Sequence, residues 1–174
     1  MGLSGPVHAE DACEKLIPAA LRAAALTKYP DYRIAKSTDR LTDDPKWNKY
    51  YYKEGQCFTV ATADFDGDKI ADFAFFLVKK DSKKPKLIAN LSRGKRWDIA
   101  DLPIWNEQIE VCYVEPMKLG IYEHTQSYEF TRSNTNEREK LTTNNTSIIA
   151  GKVESTGVVY VYGKGRWLYV WVSD

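Results

Sequence analysis

The sequence is short of the residues that most reaction chemistry draws on. Among 174 residues there are three cysteines, two histidines and two methionines. Cys13, Cys57 and Cys112 follow none of the paired spacings of a zinc site. A catalytic thiol needs a histidine beside it, and only His8, in a featureless tail, and His124 exist. Charge of one sign is also missing: Lys+Arg 25 against Asp+Glu 24 gives a formal net charge of +1. That balance removes any bulk attraction to nucleic acid or to an anionic membrane surface. No apolar run approaches the roughly 20 residues of a membrane-crossing helix. Nucleophile elbow, phosphate loop and dinucleotide fingerprint are absent as well. What is left is a globular composition, 43% hydrophobic and 28% charged. We expect one domain over residues 10–174, with residues 1–9 as a disordered tail or a vector or signal remnant.

What the sequence does have is a knot of acid between two apolar runs. Asp64, Asp66, Asp68 and Asp72 stand at positions 1, 3, 5 and 9 of one short stretch. So many carboxylates repel one another unless water or a cation screens them. Hard cations such as Ca²⁺ take several oxygen ligands from a turning loop, and alternating positions can aim inward together. The expected ligand set is Asp64, Asp66, Asp68 and Asp72 with the carbonyl of Ile70. Two other readings stand beside it: an empty turn with hydrated aspartates, and acid–base catalysis of the paired-carboxylate type.

The run Asp64-Phe65-Asp66-Gly67-Asp68, followed by Asp72-Phe73-Ala74, resembles the calcium loop of FG-GAP/VCBS-type repeats. The resemblance implies a loop joining two antiparallel strands and a structural Ca²⁺. It occurs once, so no propeller of repeats is implied. Where the family pattern has glycine at loop position 6, this chain has Lys69. A left-handed backbone there costs roughly 1 kcal/mol more with lysine than with glycine. The wider layout is similar to small exported bacterial proteins: the single loop, then Leu91-Ser92-Arg93-Gly94-Lys95-Arg96-Trp97, then an aromatic C-terminal hairpin.

Export is also suggested near the start, where Val7-x-Ala9 before Glu10-Asp11 has the small residues of a signal-cleavage end. The expected location is periplasmic or secreted. In such a compartment two cysteines can pair, and Cys13 with Cys57 would tie an N-terminal helix to the sheet. Cys112, within an alternating strand, reads as a small buried apolar residue.

Leu16, Ile17, Ala20, Leu21 and Ala24 recur at helical spacing, so residues 10–28 are expected to be helical, opened or kinked at Pro18. Tyr29-Pro30 ends that segment. Polar residues 31–50 read as a connection, and Trp47, Tyr50, Tyr51 and Tyr52 form an aromatic cluster just before the first long strand. From Gln56 strands and short turns alternate: the Asp loop, a lysine-rich tip at 79–86, and a basic turn at Arg93, Lys95 and Arg96. A later pair is expected at 119–122 with 128–131, enclosing Glu123 and His124. The last hairpin, 158–162 with 167–172 around Gly163-Lys164-Gly165, is the clearest element.

The expected fold class is therefore α+β, an N-terminal helix packed on a mostly antiparallel, meander-type sheet. The expected function is a non-enzymatic binding protein of the cell envelope with a structural calcium loop. An inhibitor or immunity protein that touches a secreted enzyme or toxin is its most concrete form. Trp47, Tyr51, Arg93, Lys95 and Arg96 are the candidate partner contacts. The alternative is a carbohydrate-processing hydrolase or sugar-binding module using the acidic loop, Glu123 and His124, and exposed aromatics.

Overall fold

The computed structural model describes residues 10–40, 57–105, 107–127, 129–153, 155 and 157–172. The tail at 1–9 and the aromatic cluster at 47–52 lie outside them.

The helix is shorter than its periodicity suggests, and proline is the reason. Glu14–Leu16 forms a single 3₁₀ turn, Ile17 is extended, and Pro18 caps α1 (Ala19–Lys28). Three turns remain, and they bury only Leu21 and Ala25. Tyr29, held before Pro30, closes the helix.

The first sheet contains β1 (Tyr32–Ile34), β2 (Val60–Ala63), β3 (Asp72–Lys79), β4 (Pro85–Arg93) and β5 (Arg96–Leu102), all antiparallel. β1 and β2 share one edge of β3 at its opposite ends. β3 reads Asp-Phe-Ala-Phe-Phe-Leu-Val-Lys and is buried on both faces, which its unbroken apolar run requires. Ala74, Phe76 and Val78 face one core, while Phe73, Phe75 and Leu77 face another under Ile17, Leu21 and Ala25.

The second sheet runs β11 (Arg166–Val172), β10 (Gly157–Gly163), β9 (Ser147–Lys152), β6 (Cys112–Met117). Pro116 lies within β6 and does not break it, because an edge strand has one side that needs no ladder donor. Ile148, Ala150, Val158, Tyr160 and Tyr169 meet the first sheet in the shared core. The other face, with Val159, Val161 and Val170, is covered by a small hairpin, β7 (Ile121–Glu123) with β8 (Lys140–Thr142), through Leu141 and Tyr122. Tyr160 is fully buried and its hydroxyl donates to the Pro103 carbonyl. Burial of a side chain of that size contributes about 2–3 kcal/mol.

This corrects the expected α+β class. The protein is mostly antiparallel β, 45% strand against 13% helix. Among the described residues a single short α-helix lies on one sheet of a two-sheet stack, where a helix-on-meander architecture was expected. One local expectation also changes. The partner of β7 is β8, some twenty residues later in the chain, and residues 129–131 form no strand. The cause is that alternation identifies a strand but not the strand it pairs with.

Candidate metal centre

β2 ends at Ala63 and β3 begins at Asp72, so the acidic stretch is the connection between two paired strands. The loop is wound around its own carboxylates. Asp64 Oδ1 accepts the amides of Gly67 at 2.7 Å and Asp68 at 3.1 Å, and its Oδ2 accepts Lys69 at 2.8 Å. Asp68 Oδ1 accepts the Ile70 amide at 2.8 Å. Short acidic side chains turn the backbone in this way because they satisfy donors that no ladder reaches.

Asp72 stands apart, since it is completely buried. Its Oδ2 accepts the Phe65 amide at 2.9 Å and its Oδ1 the Ser92 amide at 2.8 Å. One side chain thereby fastens the loop to β4. Burial raises its pKa above the ordinary 3.8, the two amides pull it down, and the charges of Asp66 and Asp68 push it up further.

Ligand oxygens of Asp64, Asp66 and Asp72 all lie within 4.8 Å of one another. Each carboxylate oxygen carries two lone pairs, so an oxygen that accepts one amide can still face a cation. All-oxygen donors suit a hard cation and not a soft one. This triad can hold a metal ion. Asp68, expected as a fourth ligand, is not in the cluster; its Oδ2 lies 3.6 Å from Arg93 Nη1. Ile70 enters the network through its amide, and the residue is 47% exposed.

Arg93, a candidate partner contact, has ion pairs within the chain that the sequence did not announce: Nη1 pairs with Asp66 and Nε with Asp98 at 3.0 Å. The Asp66 hydrogen bond is the main reason its pKa rises. The available signal was a surplus of carboxylate facing a turn that carries arginine. Lys95 and Arg96 remain exposed at the β4–β5 turn, while Trp47 and Tyr51 lie outside the described residues. Cys13 and Cys57 form a disulfide with Cα atoms 4.9 Å apart. Cys112 is free and buried, its thiol pushed up to about 12 by burial first of all. Glu123 pairs with Lys140 at 2.6 Å, and the His124 ring packs edge-on against Phe130 at 5.2 Å.

Lys69 adopts φ +69°, the left-handed backbone that glycine would accept without strain. Replacing Lys69 by Gly is expected to stabilise the protein by about 0.5–1 kcal/mol, the relief of αL strain offset by added chain entropy. Urea unfolding measures this; a destabilised Lys69→Gly variant would show that the lysine side chain contributes more than its backbone costs.

No family model matches the chain, and neither a curated protein nor a solved structure matches it.

Proposed function

We propose that this chain is a non-enzymatic binding protein of the cell envelope, periplasmic or secreted, whose Asp loop takes Ca²⁺ as a structural brace. The observation that carries this reading is the convergence of Asp64, Asp66 and Asp72 within 4.8 Å on a turn that joins two core strands. The likeness of the loop to FG-GAP/VCBS calcium loops supports the choice of Ca²⁺. The Cys13–Cys57 disulfide supports an oxidising compartment.

A brace is favoured over acid–base catalysis by where the carboxylates sit. Asp72 has no exposed surface, and both its oxygens are taken by backbone amides. Asp64 accepts three amides and Asp66 is paired with Arg93. A general acid must present an oxygen to the substrate. These oxygens present themselves to the loop.

A cation bound only by the native state stabilises it by mass action, by about 2.7 kcal/mol at a hundredfold excess over the dissociation constant. Millimolar Ca²⁺ is therefore expected to raise the melting temperature by roughly 5–10 °C for a chain of this size. Chelator should reverse the rise, and Asp64→Asn with Asp66→Asn should abolish it. A melting temperature indifferent to Ca²⁺ and chelator alike would end the brace reading. For an inhibitor or immunity protein, the partner would be a secreted enzyme or toxin recovered by pull-down from envelope extract.

A further inference from the structure

The tip of the β10–β11 hairpin separates two open grooves that share Tyr162 and Arg166. One, of about 560 Å³, runs between the tip and the β8–β9 connection. Its floor is apolar, Leu141, Val161 and Leu168, and its far wall carries Thr142, Asn144 and Asn145. The other, of about 480 Å³, lies between the tip and β5 and is lined by Trp97, Trp167 and Leu91. Each volume falls in the range of about 300–1,000 Å³ typical of small-molecule sites.

The charges around these grooves are unequal in a specific way. The lining carboxylates are Asp66 and Asp98, one in each groove, and both are already paired with Arg93. The lining cations are not compensated among the described residues. Arg138 is held by the carbonyls of Thr135 and Glu137, each at 2.7 Å, and by no described carboxylate. Lys164 and Arg166 have no carboxylate partner among the described residues. Arg93 thus pairs with the acid of both grooves, and among the described lining residues the three cations Arg138, Lys164 and Arg166 outnumber the two carboxylates.

The remaining surfaces are those a sugar ring uses. Tyr162 and Trp167 pack edge-on at 5.3 Å, and Phe65 buttresses Trp167 at 6.4 Å, so the aromatic wall is fixed before anything binds. Amide and hydroxyl side chains line the groove on the other side of the tip, with Asn145 seated against Gly67 of the Asp loop. A Cβ at Gly67 would lie 2.8 Å from Asn145 Oδ1, and its φ of +85° excludes most side chains as well. Successive pyranose rings crossing the tip offer an apolar face to the aromatics of one groove and hydroxyls to the amides of the other, and carboxylates on the rings answer the cations.

We propose that the two grooves form one site for a carboxylated oligosaccharide, a chain containing uronic acid, laid across the β10–β11 tip with its carboxylates on Arg166, Lys164 and Arg138. This rests on the binding-protein reading but not on calcium. The test is titration calorimetry of the full chain with short oligogalacturonides, the same oligomers methyl-esterified, and a polyglutamate peptide. The free acid should bind, and the ester, with identical rings, should bind at least about tenfold more weakly. Arg166→Gln and Lys164→Gln, both at exposed positions, should each weaken the free acid about tenfold with the melting temperature unchanged. No binding of the free acid, equal binding of the ester, or indifference to both substitutions would overturn the proposal. So would polyglutamate binding as tightly as the sugar, which would assign the grooves to an acidic protein. The two readings fail separately. Uronate binding that persists in chelator, without any Ca²⁺ effect on melting, removes the brace and keeps the site. A Ca²⁺-dependent melting temperature without uronate binding does the reverse. Cleavage of the bound oligomer would keep the ligand and remove the non-enzymatic reading.

Discussion

Removing the Cys13–Cys57 bond is expected to lower stability by about 4 kcal/mol, which for a chain of this length is roughly 8–16 °C in melting temperature. The bond closes a loop of 44 residues in sequence separation, and its constraint acts chiefly on the unfolded chain. Its native-state role is positional. Cys13 is completely buried beside Ile17, Leu21 and Ala25, in the core that lies between the helix and β3. Without the covalent link, a three-turn helix with two buried residues has little to hold it, since isolated helices of that length are marginal. Cys13→Ala with Cys57→Ala should therefore lose α1 before the two sheets, seen as early exchange of the amides in residues 19–28. Cys112 gives an internal control, being buried with a thiol pushed up to about 12. It should stay silent to thiol reagents in the native oxidised protein. A double variant as stable as the parent would show that the helix is held by packing alone.

The parts of this protein that were legible in the sequence are those fixed by local chemistry. The C-terminal hairpin announced itself through β-branched and aromatic residues around Gly163-Lys164-Gly165, and Gly165 and Lys164 do take positive φ there. Pro18 was visible as the interruption of the helical pattern, although its consequence, a helix of only ten residues, was not. The Asp loop was legible as a turn between two strands because its acids outnumber any other explanation for them. Long-range choices were not legible. Nothing local distinguishes β8 from residues 128–131 as the partner of β7. Nothing in Leu91–Trp97 says that Arg93 folds back over Asp66 and Asp98 while Lys95 and Arg96 stay in solvent. The grooves are assembled from four separate stretches of chain, so their charge balance exists only after folding.

Asp72→Ala should be the most damaging single substitution in the loop, costing about 3–5 kcal/mol. The carboxylate is wholly buried and accepts two amides, Phe65 in the loop and Ser92 in β4. Alanine leaves both donors buried and unsatisfied, at about 1–3 kcal/mol each, with a small cavity in addition. Asp72→Asn should cost less, because its carbonyl keeps one amide, but its NH₂ then faces the other donor. Ionisation adds a pH dependence whose sign follows from the raised pKa. Burial disfavours the charged form, so the folded value lies above the ordinary 3.8. A raised acid contributes stability that is fully present below the unfolded pKa and is lost as pH rises through the folded value. In chelator, the stability gap between the parent and Asp72→Asn should therefore be wider near pH 4 than at neutral pH. Added Ca²⁺ should widen it again at neutral pH by compensating the buried charge. A gap that is flat with pH in chelator, and unmoved by Ca²⁺, would mean that this carboxylate is neither strained by burial nor shared with a cation. Asp72 would then be a hydrogen-bonding staple between loop and strand and nothing more.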